Sequence, residues 1–243
     1  MYISNFERVE EKYYLTKGMK QEFLKRINEY IEKDKYFESN IHNIYLDTKD
    51  SELIVNCMEK PIFRNKFRIR SYGVPQLTDN IFIEIKMKYK GVVGKRRTIA
   101  KLQDFYDFID GKIDSLQQNN VKDQILNEFE YFYNYYNLKP VIYIAYDRES
   151  YKGKNDKSLR ITFDTNLRSR TNNLRLENPS NTTNFFNEKC YLMEIKMIGS
   201  LPLWLVKILS DMEMLPISFS KYGKIYEKNY KLQNKKKESV KYA

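Results

Sequence analysis

The stretch Phe63–Arg70, with the sequence FRNKFRIR, constrains the fold more than any other part of this chain. Successive side chains of a β-strand point to opposite faces, so the stretch predicts a strand with four cations on one face and mainly apolar residues on the other. At about 3.3 Å per residue, the four cations form a row roughly 20 Å long. A single strand of this kind is usually an edge or solvent-facing strand.

The same alternation recurs along the chain, so the pattern belongs to a whole sheet. It is found in Glu10/Lys12, Glu84/Lys86, Lys95/Arg97, Tyr146/Arg148, Arg160/Thr162/Asp164 and Glu194/Lys196. Each predicted strand has one apolar face and one charged face that is mostly positive. Two arrangements fit this periodicity. The charged faces meet water in an open sheet, or they line the polar lumen of a closed barrel.

The remaining hydrophobic patterns predict an α+β fold with one domain over residues 1–230. Strands are predicted over Glu7–Leu15, Ile41–Asp47, Phe63–Tyr72, Ile81–Met87, Lys95–Ile99, Val141–Arg148, Leu159–Leu167 and Tyr191–Met197. Helices are predicted over Thr16–Asp34, Leu102–Ile109, Val121–Tyr136 and Pro202–Met214, and Asn172–Asn187 is predicted to be a loop. Residues 231–243 form a lysine-rich tail that is predicted to fray.

Composition narrows the classes of partner and of chemistry. The 243 residues carry a net charge of +11, which favours a polyanionic partner. A single histidine, His42, disfavours His-based triads and multi-His metal sites, and only 8 glycines disfavour glycine-rich nucleotide loops. Cys57 and Cys190 have no metal-type spacing and are predicted to be reduced thiols. The sequence has no secretion signal and no apolar run of about 20 residues, so a cytoplasmic location is expected.

A series of short motifs runs through nearly the whole chain. In order, they are Arg8–Tyr13 (RVEEKY), Ile44–Thr48 (IYLDT), Arg68–Gly73 (RIRSYG), Glu84–Lys86 (EIK), Lys95–Arg97 (KRR), Tyr146–Arg148 (YDR), Leu159–Asp164 (LRITFD), Met193–Lys196 (MEIK) and Phe219–Gly223 (FSKYG). Each motif is weak alone, but the ordered series is specific. It resembles the VTC domain, the polyphosphate polymerase domain of the vacuolar transporter chaperone complex and its bacterial relatives.

This resemblance implies both a fold and a reaction. The family belongs to the triphosphate tunnel metalloenzymes, or CYTH-like superfamily, whose antiparallel strands close into a tunnel-like barrel with a charged lumen, flanked by α-helices. The implied reaction transfers the γ-phosphate of ATP to a growing polyphosphate chain and releases ADP, with Mn²⁺ or Mg²⁺ as the divalent metal. ATP and polyphosphate or triphosphate are therefore the implied ligands.

The resemblance also implies roles for individual residues. The residues implied to hold phosphates at the catalytic centre are Lys12, Arg68, Arg70, Lys86, Arg148 and Lys221. Ser220 adds a hydrogen bond to substrate, Tyr146 lies near the nucleotide, and Glu194 is a metal ligand. Supporting phosphate contacts are implied for Lys95, Arg97, Arg160 and Lys196.

One position departs from the wider superfamily, in which relatives often open with Glu-x-Glu-x-Lys. Here Arg8 takes the first acidic position, so one metal carboxylate is lost. This loss favours phosphate handling over tightly metal-dependent triphosphatase chemistry. We expect no regulatory domain before the motifs and no membrane helix after them, so coupling to translocation is expected to need a membrane partner protein.

Two other functions remain open at this stage. One is a tunnel triphosphatase that hydrolyses inorganic triphosphate or a nucleotide, and the other is a non-catalytic polyanion-binding module. Nucleic acid is not the expected partner, because the cations alternate within strands and form no external basic helix or ribbon. Asp47 and Asp164 are expected to cap strand ends or to orient arginines, and not to bind metal.

Overall fold

A computed structural model describes residues 8–59, 61–90, 92–117, 123–185 and 190–230. The predicted tail 231–243 and the first residues of the predicted helix at Val121 lie outside these residues. The chain divides into two compact units. Unit 1 comprises residues 1–40, 146–168 and 184–219, and unit 2 comprises residues 41–145, 169–183 and 220–243.

The described elements are antiparallel strands and flanking helices, as an α+β fold requires. The strands are β1 (Arg8–Thr16), β2 (Ile31–Asp47), β3 (Phe63–Tyr72), β4 (Asn80–Tyr89), β5 (Val92–Lys101), β6 (Lys139–Gly153), β7 (Arg160–Arg170), β8 (Thr183–Asn184) and β9 (Cys190–Ile198). The helices are α1 (Lys17–Ile27), α2 (Glu52–Glu59), α3 (Leu102–Ile109), α4 (Gln124–Tyr135), α5 (Leu203–Asp211) and α6 (221–230).

Unit 1 is built on the strand order β1-β9-β7, in which both pairings are antiparallel. Its core contains Phe163 of β7 and Met193 and Ile195 of β9, all at most 1% exposed. Phe23 of α1 and Leu205 of α5 complete this core from the two helices, and both are fully buried. The opposite face of the three strands carries the charged members of the alternating motifs.

Unit 2 is built on the antiparallel order β2-β3-β4-β5. Phe67 and Ile69 of β3 are fully buried in its core, together with Ile83 of β4. Helices α3 and α4 contribute Phe105 and Phe129 to the same core. The predicted division of β3 into an apolar and a cationic face is therefore confirmed.

The sheet pairing does not by itself establish a closed barrel. Strand β6 pairs with β7 and with β2, and β8 pairs with β7. Among the described strands, β1 pairs only with β9 and β5 pairs only with β4. The antiparallel sheet is thus observed, with β1 and β5 at the two ends of its strand order.

The predicted first helix is wrong beyond Ile27, where α1 ends instead of continuing to Asp34. Residues 28–30 form a turn in which the Tyr30 N–H donates to the Ile27 carbonyl at 3.0 Å. Ile31 fits a helical stripe in the sequence, but it begins β2 and is buried in the core of unit 1. A short apolar run satisfies both periods, and here packing selected the strand.

Two helices and half a strand were not predicted at all. Helices α2 and α6 lie where the sequence suggested only connecting segments, and β2 begins ten residues before the predicted Ile41. The short strand β8 lies inside the predicted loop Asn172–Asn187. Within the described ranges, no helix is both long and apolar enough to cross a membrane.

Candidate phosphate-binding site

Strands β3, β4 and β5 align their charged residues in rows across unit 2. Arg68 lies opposite Glu84, and Glu84 lies opposite Arg97. The next row joins Lys66, Lys86 and Lys95 in the same way. Directly opposed residues of antiparallel strands point to the same face. We call the face formed by these two rows and by Arg70 the basic face.

Glu84 is the carboxylate at the centre of the basic face, and its side chain is only 2% exposed. Arg68 Nε donates to Glu84 Oε2 at 2.6 Å, and Arg97 Nε donates to Oε1 at 2.7 Å. Lys95 Nζ lies 2.9 Å from Oε1, and Arg70 Nε lies 4.0 Å from Oε2. Four cations therefore converge on one buried carboxylate.

The pKa of Glu84 and the pKa of Lys95 are both lowered at this site. Burial opposes ionisation of Glu84, but the fields of Arg68, Arg70 and Lys95 outweigh it and hold the pKa of this carboxyl far below its usual range. Burial lowers the pKa of Lys95 to about 8, even though Glu84 favours its charged form. Positive charge is thus in excess around Glu84, and Lys95 changes its charge near pH 8.

Two tyrosines respond to the same excess of positive charge. Arg68 Nη1 donates to Tyr45 Oη at 3.0 Å, and Arg97 Nη2 donates to Tyr72 Oη at 3.3 Å. Burial opposes ionisation of both phenols. Arg68 and Arg70 nevertheless lower the pKa of Tyr45, and Arg70 and Arg97 lower that of Tyr72 to about 8. The basic face therefore stabilises oxyanions, as a phosphate-binding surface must.

Arg70 is the most buried cation of the basic face, with 5% of its surface exposed. Its Nε donates to Asn43 Oδ1 at 2.8 Å, and the Asn43 amide in turn donates to the Ile144 carbonyl at 2.9 Å. Asn43 lies directly opposite Arg70 in the β2–β3 register, which explains the contact. A neutral amide holds this guanidinium in place without cancelling its charge.

Ser220 joins the basic face to the start of α6. Lys66 Nζ lies 3.0 Å from Ser220 Oγ, and the Gly223 N–H donates to the same hydroxyl at 3.2 Å. The second bond is a helix N-cap, so Ser220 and Lys221 stand at the positive end of the α6 dipole. The next residue, Tyr222, donates from its hydroxyl to Asp47 Oδ2 at 2.9 Å, which anchors this end of α6.

A second row of charged residues crosses unit 1. Lys12 of β1 lies opposite Glu194 of β9, and Glu194 lies opposite Thr162 of β7. Lys12 Nζ is 3.7 Å from Glu194 Oε1 and 2.9 Å from Glu10 Oε1. Lys196 Nζ donates to Glu194 Oε2 at 2.9 Å. Glu194 is thus the centre of a smaller, mixed cluster.

Arg148 lies beside this cluster and is paired with a second carboxylate, Asp164. Its Nε and Nη2 donate to the two oxygens of Asp164 at 2.6 and 2.7 Å, a bidentate contact, while Nη2 lies 3.9 Å from Glu194 Oε2. Burial opposes charge on Arg148, but Asp164 outweighs burial and raises its pKa. Asp164 orients an arginine, as expected. The Arg148 guanidinium lies 5.3 Å from the centroid of the Tyr146 ring, which is 2% exposed.

Arg160 differs from the other predicted phosphate-binding residues in unit 1. It shares a strand face with Thr162 and Asp164, but its Nη2 lies 2.8 Å from Asp34 Oδ2 and its side chain is 51% exposed. The structure therefore places it in an ion pair with β2. Its strand register predicts a place on the same face as Glu194, but the ion pair that the structure describes for Arg160 is with Asp34.

The predicted residues thus divide between two clusters. In unit 2 the structure describes Arg68, Arg70, Lys86, Lys95, Arg97, Ser220 and Lys221. In unit 1 it describes Lys12, Tyr146, Arg148, Arg160, Glu194 and Lys196. Sequence reasoning assigned no role to Glu84 or Lys66. The alternation that placed Arg68 and Arg70 on one strand face is the signal that could have found both.

Thr162 belongs to the alternating pattern of the sequence, but no site role was predicted for it. Its residue is 4% exposed, and its Oγ1 is buried with no hydrogen-bond partner among the described groups. Most buried hydroxyls are hydrogen-bonded, so this position is unusual. Thr162 lies directly opposite Glu194, as Arg68 and Arg97 lie directly opposite Glu84.

The carboxylates do not form a cage for a metal. Over the part of the chain that the structure describes, no group of three or more His, Cys, Asp or Glu side chains could hold a metal ion. Glu194 provides a single carboxylate surrounded by cations. Such a donor set suits a divalent ion that arrives bound to substrate phosphates, because Mg²⁺ is commonly held by one or two carboxylates plus phosphate oxygens.

The fold is similar to that of two solved structures. An adenylate-cyclase-like protein from Bacillus halodurans aligns with a TM-score of 0.51 and 10% identity, covering 88% of this chain and 93% of that one. A second adenylate-cyclase-like protein, from Vibrio parahaemolyticus, aligns with a TM-score of 0.50 and 10% identity, covering 92% and 99%. At this identity the similarity concerns the fold alone.

Sequence comparison is more specific. Subunit 4 of the vacuolar transporter chaperone complex of Trypanosoma cruzi is 26% identical over 155 residues, which are 54% of this chain. The match spans only 19% of that relative, so most of the relative has no counterpart in the alignment. The model of the VTC domain matches residues 7–230. The chain therefore belongs to the VTC-domain family.

Proposed function

We propose that this chain is an ATP-dependent polyphosphate polymerase, which transfers the γ-phosphate of ATP to a growing polyphosphate chain and releases ADP. The observation that carries the proposal is the basic face, on which the cations of three strands surround one carboxylate. A triphosphate brings about four negative charges, and this face offers the guanidinium and ammonium donors that bind them. Membership of the VTC-domain family supports the same reaction.

The chemistry requires no protein nucleophile or strong base. A terminal phosphate oxygen of the chain, already ionised near neutral pH, attacks the γ-phosphorus of ATP. A new P–O bond forms as the bond between the γ-phosphorus and the bridging oxygen breaks, and ADP leaves with that oxygen and its electron pair. No net proton transfer is needed. Positioning and charge neutralisation are therefore the main contributions of the protein.

The residues of the basic face would bind and align the phosphates. Arg68 and Arg97 are held by Glu84 with their remaining N–H groups as donors, and Arg70 is held by Asn43. Lys66 and the N-cap of α6 add an ammonium and a helix dipole near Ser220. This preorganisation avoids the cost of arranging flexible cations around each new phosphate.

The Glu194 cluster would handle the metal-bearing part of the nucleotide. Glu194 would hold Mn²⁺ or Mg²⁺ jointly with substrate phosphates, while Lys12, Lys196 and Arg148 contact those phosphates. The divalent ion would neutralise charge on the bridging phosphate oxygens. Tyr146 would lie near the nucleotide, with the Arg148 guanidinium 5.3 Å from the centroid of its ring. We further propose that the antiparallel strands close into a tunnel-like barrel with a charged lumen.

The test is incubation with ATP and Mn²⁺, followed by sizing of the products on a gel. Long polymer together with ADP is the expected result. Orthophosphate without polymer would contradict the proposal and indicate a triphosphatase. Binding of polyphosphate without any turnover of ATP would instead indicate a non-catalytic module.

Two adjacent arginines of β5 offer a matched pair of variants. Arg97 belongs to the basic face, whereas Arg96 points to the other face and pairs with Glu128 of α4. Arg97→Ala is expected to lower the rate of polymer formation about 100-fold. Arg96→Ala removes the same side chain from the opposite face and should leave the rate within about twofold, since exposed ion pairs contribute little. Equal effects would argue against this assignment of faces.

A further inference from the structure

Four large apolar side chains are exposed at one end of β3, β4 and β5. Ile62 is 65% exposed, Phe63 46%, Tyr89 54% and Val92 64%. Single exposed apolar residues are common on protein surfaces and need no explanation. Four such residues at one end of a sheet are less common, and their grouping makes this end a candidate interaction surface. We call these four residues the tip.

The strand register brings the tip together. Phe63 lies opposite Tyr89, and Tyr89 lies opposite Val92. The Phe63 and Tyr89 rings meet edge to face, with centroids 6.5 Å apart. The Lys90 N–H donates to the Ile62 carbonyl at 3.0 Å, which ties the β4 end to the residue before β3. The side chains of Phe63, Tyr89 and Val92 therefore share one strand face, and the backbone bond from Lys90 places Ile62 at the same end of the sheet.

Helix α4 covers the apolar face of β3 further along but not at the tip. Phe67 is fully buried and packs against Phe132, with ring centroids 5.4 Å apart. Phe63, four residues earlier, points to the same face of the strand. It is nevertheless nearly half exposed. The apolar face therefore continues beyond its helical cover and ends in solvent.

Only positive charges accompany the tip in sequence. The stretches 61–64 and 88–92 contain Arg64, Lys88 and Lys90 and no aspartate or glutamate. Lys90 Nζ lies 5.5 Å from the centroid of the Tyr89 ring. An apolar surface with aromatic groups and flanking cations has the chemistry of a membrane-interface anchor. Its rings and aliphatic groups enter the acyl boundary, while its cations meet anionic headgroups.

We propose that the tip docks this chain onto an anionic lipid bilayer. Ile62 and Val92 insert below the headgroups, Tyr89 lies at headgroup depth, and Lys90 contacts lipid phosphates. The three cations complement the negative surface of such a bilayer, and this complementarity favours a bilayer over an apolar protein partner. The proposal concerns a surface outside the residues assigned to phosphate transfer, so it does not rest on the proposed function.

The test is co-sedimentation with vesicles at near-physiological salt. One set of vesicles contains phosphatidylcholine alone, and the other contains about 30% phosphatidylserine. The wild-type chain is expected to partition at least about tenfold more strongly onto the anionic vesicles. Absence of sedimentation with anionic vesicles would overturn the proposal and leave a protein partner or a second copy of the chain as the occupant.

Variants test whether vesicle binding depends on the tip or only on the net charge of the chain. The double variant Ile62→Ser/Val92→Ser keeps every charge, and its partitioning should fall about tenfold or more. Lys90→Gln should lower partitioning about fivefold. Leu203→Ser is the matched control, because Leu203 is 86% exposed but lies on α5. Unchanged binding of the double variant would overturn the proposal even if the polymerase assay succeeds.

Discussion

The clusters around Glu84 and Glu194 use the same Glu-x-Lys strand motif, yet they hold their carboxylates differently. Glu84 receives two arginine N–H donors at 2.6 and 2.7 Å and a lysine at 2.9 Å. Glu194 has one lysine donor at 2.9 Å, while Lys12 and Arg148 lie 3.7 and 3.9 Å away. The first carboxylate is the centre of a tight ionic cluster, and the second is held more loosely.

The difference indicates a division of work between two similar motifs. Under the proposed function, Glu84 would be the counter-ion that keeps several cations in fixed positions for phosphates. Near Glu194, Arg148 is already paired with Asp164. The residue opposite Glu194 on β7 is Thr162, whereas both residues opposite Glu84 are arginines. A carboxylate in such surroundings suits a metal–phosphate ligand better than one already bonded to several cations. The following predictions test this division.

Glu84→Gln is expected to have the largest effect, and the effect is on stability. Removing the carboxylate leaves several nearby cations without their counter-ion, so the free energy of unfolding should fall by about 3–5 kcal/mol. Chemical denaturation measures this change. Glu128→Gln is the control, because it breaks the exposed pair with Arg96 and should cost at most about 1 kcal/mol. Similar losses for both variants would contradict a counter-ion role for Glu84.

Glu194→Gln is expected to affect activity more than stability. The rate of polymer formation should fall about 100-fold, while the free energy of unfolding falls by about 2 kcal/mol or less, since fewer strong ion pairs are lost. Turnover and denaturation of the same preparation give both numbers. If instead Glu194→Gln unfolds the chain while Glu84→Gln stays folded and inactive, the two roles are reversed.

Binding of inorganic triphosphate should weaken as the pH rises through about 8. Lys95, whose pKa is about 8, is charged below this pH and neutral above it, and Tyr72, with a similar pKa, becomes an anion above it. Both changes reduce the positive charge near Glu84. Calorimetry between pH 7 and 9 should therefore show about a tenfold loss of affinity.

A double variant isolates this pH effect. Lys95→Arg keeps a positive charge throughout the range, and Tyr72→Phe removes the titrating phenol. Together they should flatten the pH dependence of triphosphate affinity. Lys101→Arg, at an exposed lysine of β5 that bonds to the Thr78 carbonyl, serves as the control and should keep the wild-type slope. A double variant with an unchanged slope would show that other groups control the affinity.

Thr162→Val is expected to have the smallest effect of these variants. The change keeps the side-chain shape and removes a buried hydroxyl that lacks a partner among the described groups. The free energy of unfolding should rise by about 1 kcal/mol. Affinity for triphosphate should stay within about twofold. A clear loss of affinity would instead assign the hydroxyl to ligand binding.

Alternation in the sequence was sufficient to predict the strands that carry the clusters. In Phe63–Tyr72 and Cys190–Ile198, polar and apolar residues follow the period of two, and both segments are strands with the expected buried faces. The partners of each carboxylate were not predictable in the same way. That Arg97 meets Glu84 depends on the β4–β5 register, which no local pattern specifies.

The missed elements lack a local signal. The first half of β2, from Ile31 to Asn40, is mostly polar and exposed, so no hydrophobic alternation marks it as a strand. Helix α6 begins in the motif Phe219–Gly223, whose resemblance to a family motif drew attention to substrate binding and not to helix capping. The Ser220 N-cap of this helix is a local contact, whereas the Tyr222–Asp47 bond that anchors the helix joins residues far apart in the sequence. Tertiary packing decided these segments, not intrinsic propensity.

The division of β3 into an apolar face and a basic face also restricts how this chain can change over evolutionary time. A single substitution at Lys66 or Arg68 alters only the contacts of that residue, but a one-residue insertion before Lys66 would turn every following side chain of the strand to the other side. Phe67 and Ile69 would then lie on the basic face, and arginines would enter the core. Length changes within this strand should therefore be far rarer among relatives than exchanges of one cation for another.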